Sequence, residues 1–412
     1  MKIIKNDTNE ITNIFLSIIL ALAIFYLSFN NIVWVNFWHS LSIPAQPPFS
    51  DLKAHILFYE CFEIGINIYL DECTLIPDGN AKISTHPTIW LKLVKFLNLQ
   101  NELAYNIFLI FIFSTYFYCL IKIFLSFDAF KNRIFFIIFF FSTSNFILIE
   151  RFATDIVIFI LVYITLSTNK KILQSIFIFF GILLKYYPIF LTAIFIKNKK
   201  ILILTSITYT LSIFIFYIEE IRLISKNILE VALMIAYGSR TFSKAFYHLS
   251  NEYDFFINDL NYDYFRNIVI LLFGIYSFLL ILIGHKFNKN NPNNSSNKIE
   301  NYFVGGASIY IGTFIIGSNF DYRLIFLIFT IPYLMRLDNT VIKYMLIICY
   351  VLSINSFLFQ HSNLLIYSEI KHWIYYVKSF LLFFCKFFIF TVLSFLLGSH
   401  LKKINFFKFK KL

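Results

Sequence analysis

The chemistry available to this 412-residue sequence sits at the edges of its apolar runs. Ser50-Asp51-Leu52-Lys53 follows a Pro-rich stretch at 44–48, and Tyr59, Gly65-Ile66-Asn67-Ile68-Tyr69 and His86-Pro87 come after it. A carboxylate in that place is a helix N-cap or a proton acceptor, and residue type alone favours the cap. Glu150-Arg151-Phe152-Ala153-Thr154-Asp155 joins two apolar runs. Asp155 leads straight into one of them, where a charge is costly unless partnered, and Arg151 is its nearest candidate partner. Two readings stand together: a structural ion pair, or an anion-binding arginine held by Asp155. Lys185-Tyr186-Tyr187-Pro188 interrupts another run; Lys185 either snorkels to the surface or faces an anionic group in a cavity. In Gly317-Ser318-Asn319-Phe320-Asp321-Tyr322-Arg323 the Gly, Ser and Asn are ordinary turn chemistry. Asp321 and Arg323, followed at once by Leu-Ile-Phe-Leu, are harder to account for that way.

These residues must be positioned by elements that live in lipid. The chain is 59% hydrophobic and 14% charged, against about 45–50% and about 25% for soluble domains. Apolar runs cover 11–35, 105–127, 134–149, 154–167, 172–184, 188–196, 201–218, 267–284, 302–317, 324–334, 341–359 and 375–397. A spanning helix needs about 20 apolar residues, so several of these are short. The expectation is one all-α integral membrane domain over residues 1–412, a polytopic bundle of about 11–13 transmembrane segments. Amphipathic helices are expected in its first long outer loop, 36–104. A second outer loop spans 219–266, and an Asn-rich linker spans 286–300. The first run reads as a retained anchor, with no small-residue cleavage site after it.

The formal charge of +12 does not call for nucleic acid, because the basic residues fall in short loops between apolar runs, the positive-inside pattern. Lys131, Arg133, Lys170, Lys171, Lys197, Lys199, Lys200, Lys286, Lys289, Lys298, Arg336 and the tail lysines share one side if 172–196 enters and returns with its apex at Lys185–Pro188. Pro188 removes a helix hydrogen bond there. Both termini are then cytoplasmic, and Asp51, His86, Arg151, Asp155, Lys185, Asp321 and Arg323 share the outer face. Of the five cysteines none forms a CxxC pair. Cys61 and Cys73 share the first outer loop and can pair in an oxidising compartment. The Ile-, Asn-, Lys- and Phe-rich composition suits an AT-rich bacterial genome, hence a bacterial inner membrane.

The order of these motifs resembles that of the GT-C glycosyltransferases, most of all the family 87 mannosyltransferase-like enzymes. The resemblance rests on Asp51, Tyr59, Gly65 and Tyr69; on Arg151 and Asp155; on Gly181, Lys185 and Pro188; and on Asn319-Phe320-Asp321-Tyr322-Arg323-Leu324. It covers roughly residues 11–332, with Phe152-Ala153 where the family has Gly-Asn. It implies a sugar donor carried on a polyprenyl phosphate, a lipid or glycan acceptor at the outer leaflet, and Asp51 as the general base of an inverting displacement. The leaving lipid phosphate calls for cations, for which Arg151, Lys185, Arg240 and Arg323 are the candidates. His86, Asp155, Tyr186 and Asp321 complete the expected substrate-binding set. No carboxylates stand at metal-ligand spacing, so no metal or other cofactor is expected. The competing readings are a transporter or lipid flippase, which uses broken helices and intramembrane charges, and a polysaccharide polymerase or ligase. Against a transporter, the ionisable residues gather at one rim.

Overall fold

The computed structural model describes residues 2–41, 43, 47–76, 83–126, 130–227, 235–252, 261–286, 297–361 and 368–403. All the apolar runs named above are occupied by helix, and the strand content of the described residues is Ala236–Tyr237 paired antiparallel with Asn319–Phe320. The protein is therefore an all-α membrane protein. Among the described residues, five helices are long and apolar enough to cross a bilayer: Glu10–Ser28, Glu102–Leu125, Tyr262–Lys286, Lys298–Ile316 and Val377–Leu401. The number rises to 7 if Arg133–Phe140 with Thr143–Arg151, and Lys200–Phe214 with Ile218–Ile224, each make one bent span. Asp155–Ser167, Lys171–Leu184, Tyr187–Lys197 and Thr340–Ile354 are apolar but shorter. The expectation of 11–13 segments counted such pieces as whole crossings.

The chain divides into two compact units. The first comprises Met1–Phe140, Phe146–Ile189 and Ile207–Ile228; the second comprises Phe141–Asn145, Phe190–Ser206 and Leu229–Leu412. In the first, the N-terminal helix Lys2–Ser28 packs on Glu102–Leu125, which packs on Asp155–Ser167, which packs on Lys171–Leu184. Ser50–Glu63 and Ile89–Phe96 lie against each other in the first long loop. The latter is amphipathic as expected, burying Trp90, Leu91 and Val94 and exposing Lys92, Lys95 and Phe96. Cys61 and Cys73 are disulfide-bonded, with 5.8 Å between their Cα atoms. The break expected at Lys185–Pro188 is present: Lys171–Leu184 ends, Lys185 is extended, and a 3-10 helix, Tyr187–Lys197, follows.

In the second unit, Tyr262–Lys286 and Ser368–Lys403 approach backbone to backbone. A Cβ on Gly284 would lie 2.0 Å from the Phe395 carbonyl oxygen, and one on Gly398 would lie 2.1 Å from that of Ile281. Ser277 and Ser394 hydroxyls meet at 3.1 Å along the same seam. Lipid offers no hydrophobic drive for helices to associate, so small residues that permit close packing supply it. The second long loop is largely helical where it is described: the helix begun at Lys199 runs to Asn227, and Ser239–Glu252 follows. Residues 287–296 of the Asn-rich linker, and the tail lysines Lys408, Lys410 and Lys411, lie outside the described residues.

Candidate functional site

Asp51 sits in the first turn of Ser50–Glu63, and it caps nothing. The N-cap position is Phe49, which holds a left-handed backbone (φ 59°), and no side chain caps this helix. The Asp51 carboxylate has no hydrogen-bond or ion-pair partner among the described residues. It is half-buried. Burial raises its pKa above the ordinary carboxylate value, Arg151 and Lys185 pull the other way, and Asp155 adds to the rise. The cap reading, favoured by residue type, is thus replaced by a carboxylate that faces two cations without being tied to either.

The backbone that brings Asp51 to Arg151 is strained and held by aromatic burial. Phe49 N donates to the Glu150 carbonyl at 3.2 Å. Phe152, next to Arg151, is also left-handed (φ 51°), a conformation costing non-glycine residues about 1–2 kcal/mol. Both rings are buried, lie 6.4 Å apart, and meet Phe113 at 5.5 Å and 5.2 Å. Fully burying an aromatic side chain is worth about 1.5–3 kcal/mol, enough to offset the strain. Position 152, where the resembled family has Gly, therefore keeps a glycine-like backbone while carrying Phe.

Asp155 does not pair with Arg151. Helix Thr143–Arg151 ends at Arg151, the chain turns at Phe152, and Asp155 opens the next helix. Its carboxylate is fully buried, takes the Lys185 ammonium, and accepts from the Tyr187 hydroxyl at 2.6 Å. Lys185 is itself buried, so it does not snorkel to the surface. Arg151 has Glu150 as its ion-pair neighbour, at 3.7 Å, and its buried Nε has no hydrogen-bond partner among the described residues.

His55, one turn after Asp51 and so on the same helix face, was not singled out from sequence; the i, i+4 spacing was the available signal. It is buried, stacked on Trp90 (5.1 Å, 12°) and edge-on to His86 (4.6 Å, 88°). Trp90 Nε1 donates to the Leu184 carbonyl at 3.1 Å, tying this stack to the residue before Lys185. Burial, with Lys185 adding, pushes the His55 pKa down to about 3, so the ring is neutral at physiological pH. Its Nε2 and the Ser50 hydroxyl are buried without partners among the described residues. His86 Nε2 lies 3.4 Å from the Thr154 hydroxyl.

Tyr69 and Glu220 fix the rest of the loop. The Tyr69 hydroxyl donates to Glu220 at 2.5 Å and to the His86 carbonyl at 2.8 Å, and Thr88 N donates to the same carboxylate. Burial, then this bond to Glu220, raises the Tyr69 pKa, and half-buried Tyr186 stands close enough to contribute. An unsatisfied buried polar group costs about 1–3 kcal/mol. Ser50, which precedes Asp51, His55, one turn after it, and Arg151 carry three such atoms.

The chain matches no protein-family model, no curated protein and no solved structure. The reading of the site rests on its geometry.

Arg240, Asp321 and Arg323 belong to the second unit. The Ala236–Tyr237 and Asn319–Phe320 ladder, with Arg240 N donating to the Gly317 carbonyl at 3.4 Å, brings their two segments together. Gly238 is required at the crossing: its φ is 113°, and a Cβ would meet the Gly317 oxygen at 2.2 Å. Arg323 is half-buried and donates to Asn319 Oδ1. Asp321 is fully buried, and Lys386 Nζ lies 2.7 Å from its Oδ2, which also accepts from the Ser356 hydroxyl. Lys386 donates as well to the Ala236 carbonyl at 3.0 Å. Lys386 stands near the middle of the span Val377–Leu401. The expectation that ionisable groups gather at one rim is corrected here: Lys386 lies within a span, and Asp321 meets it there.

Proposed function

We propose that this protein is a membrane glycosyltransferase of GT-C type that moves a sugar from a polyprenyl-phosphate donor to a lipid or glycan acceptor. The observation that carries the reading is the Asp51 carboxylate, uncommitted, half-buried and raised in pKa, beside the incompletely bonded Arg151. A general base needs an accessible carboxylate with a pKa moved toward the working pH, and a structural one would be paired. In the proposed step Asp51 takes the proton of the acceptor hydroxyl as its oxygen attacks the anomeric carbon. The bond from that carbon to the phosphate oxygen breaks on the opposite side, and the configuration inverts. Both electrons leave with the lipid phosphate, whose charge Arg151 meets bidentately while Lys185, anchored by Asp155, adds positive potential. His86 and Tyr186 border the sugar. In the second unit, half-buried Arg240 and Arg323 are given no part in this step, and Asp321 is assigned to structure.

The Cys61–Cys73 bond supports placing the first long loop in an oxidising compartment, hence on the outer face of a bacterial inner membrane with cytoplasmic termini. Reporter fusions at Lys171 and Lys200 should then read as cytoplasmic and one at Ser84 as external.

The Asp321–Lys386 pair within a span is the observation that favours a transporter as the second reading. Purified protein in proteoliposomes decides between them. Radiolabelled sugar should pass from a polyprenyl-phosphate donor to extractable glycolipid or glycan. Movement of intact donor across the bilayer without glycosyl transfer would overturn the transferase reading.

A further inference from the structure

A slot of about 220 Å³ opens in the second unit where three helices meet. Leu280 comes from Tyr262–Lys286, Ile342 from Thr340–Ile354, and Val392, Phe395 and Leu396 from Ser368–Lys403, and Leu337 joins the lining. The first and third of these helices reach the slot near their C-terminal ends and the second at its N-terminal end. That is the arrangement expected where alternating spans meet one face of a bilayer. The two polar residues of the lining are already engaged. Asn339 Oδ1 accepts from Ile342 N at 3.0 Å, and the Thr391 hydroxyl donates to the Phe387 carbonyl at 3.0 Å. The rest of the lining is hydrocarbon. Beside Leu337, the half-buried Lys343 brings its ammonium to 3.2 Å from the Leu337 carbonyl, so a cation stands next to the hydrocarbon lining. Hydrocarbon depth closed by a fixed positive charge, at one edge of the membrane, is the profile of a lipid with its phosphate at the rim.

We propose that this slot binds one acyl chain of a diacyl phospholipid, with the phosphodiester held by Lys343. The site lies wholly within the second unit, uses none of the residues assigned to sugar transfer, and stands whether or not that reading does. The bilayer supplies the ligand at high local concentration. The occupant fills a gap beside the close seam at Gly284 and Gly398 and links Thr340–Ile354 to it.

The test is native mass spectrometry of full-length protein, delipidated in detergent and titrated with palmitoyl-oleoyl-phosphatidylglycerol. Wild-type protein should retain one lipid at activation energies that strip the remainder. Val392→Trp, which fills the slot from a half-exposed position, should lose that retained lipid. Lys343→Gln should bind it about tenfold more weakly, the scale of one charge-assisted contact. Leu381→Trp, on an exposed stretch of the same helix, should match wild type. A retained lipid in Val392→Trp, or unchanged affinity in Lys343→Gln, overturns the proposal. Should Val392→Trp fail to run as a single species on size exclusion, Lys343→Gln alone decides it.

Discussion

Two carboxylates, each expected to work with a nearby cation, end in opposite conditions. In the second unit Asp321 is sealed: Lys386 and Ser356 converge on one oxygen, and none of the three has contact with solvent. In the first unit Asp51 remains half-open, without a hydrogen bond among the described residues, and Ser50, His55 and Arg151 carry unsatisfied polar atoms. Both are Asp at the head of a helical segment next to apolar residues, so residue type did not separate them. What separates them is a buried ammonium of the protein's own: Lys386 pairs with Asp321, whereas Asp51 keeps an open side and is paired with neither of its cations. A carboxylate neutralised inside the protein holds structure, and one left half-open is available for chemistry.

Five variants can break or sharpen that contrast. Asp51→Asn should have the largest effect, lowering sugar transfer about 10²–10⁴-fold with folding intact; near-normal turnover by the purified variant would remove Asp51 from the mechanism. Lys386→Ala should act through stability instead. It strands a buried carboxylate and should cost about 3–5 kcal/mol, read as aggregation or a lowered melting temperature in detergent. The double variant Asp321→Leu/Lys386→Met should recover folding and, if the pair is architecture, activity as well. Phe152→Gly relieves about 1–2 kcal/mol of left-handed strain but deletes a ring whose removal costs about 3–5 kcal/mol. The net expectation is a less stable protein with lower turnover, since Arg151 loses its anchored neighbour. His55→Phe should be the mildest. It keeps the stack on Trp90 and replaces an unsatisfied nitrogen with carbon, so thermal stability should hold or rise while turnover falls about tenfold, the weight of one hydrogen bond to substrate. Equal turnover would make His55 structural.

The pH dependence sharpens the same point. The folded-state pKa of Asp51 is raised, so its contribution to stability is present at acid pH and is lost as pH rises through that raised value. Above it the ionised carboxylate sits where burial disfavours it. Asp51→Asn should accordingly melt slightly higher than wild type at neutral pH, and the difference should close on acidification. Transfer by wild type should follow the opposite course, rising as Asp51 ionises.

Much of the architecture was legible because solvation by lipid is written locally. Each apolar run became helix, and the break at Lys185–Pro188 followed from the missing proline donor. Pairing was harder to read, since it depends on where the chain turns. Arg151 is four residues from Asp155, the spacing of a helical ion pair, yet the left-handed turn at Phe152 puts them on different helices and gives Asp155 to Lys185, thirty positions on. Lys386 was passed over inside a run of Phe and Leu; a lone lysine that deep in a span was itself the signal that a buried acid must face it. The role of Phe49 was invisible, because an aromatic residue gives no hint that its backbone will be left-handed.

Lys386 also bears on how the protein comes to be assembled. Asp321 is synthesised well before the segment that neutralises it, so the second unit spends part of its biogenesis with a carboxylate at membrane depth and no counter-ion. Val377–Leu401 in turn carries an ammonium that lipid alone would resist. Each helix is a poor solitary resident of the bilayer and a good one beside the other. Docking of Val377–Leu401 is thus a charge-matching event, and an unmatched Asp321 is a feature by which quality-control proteases of the membrane can tell an unpaired second unit from a paired one.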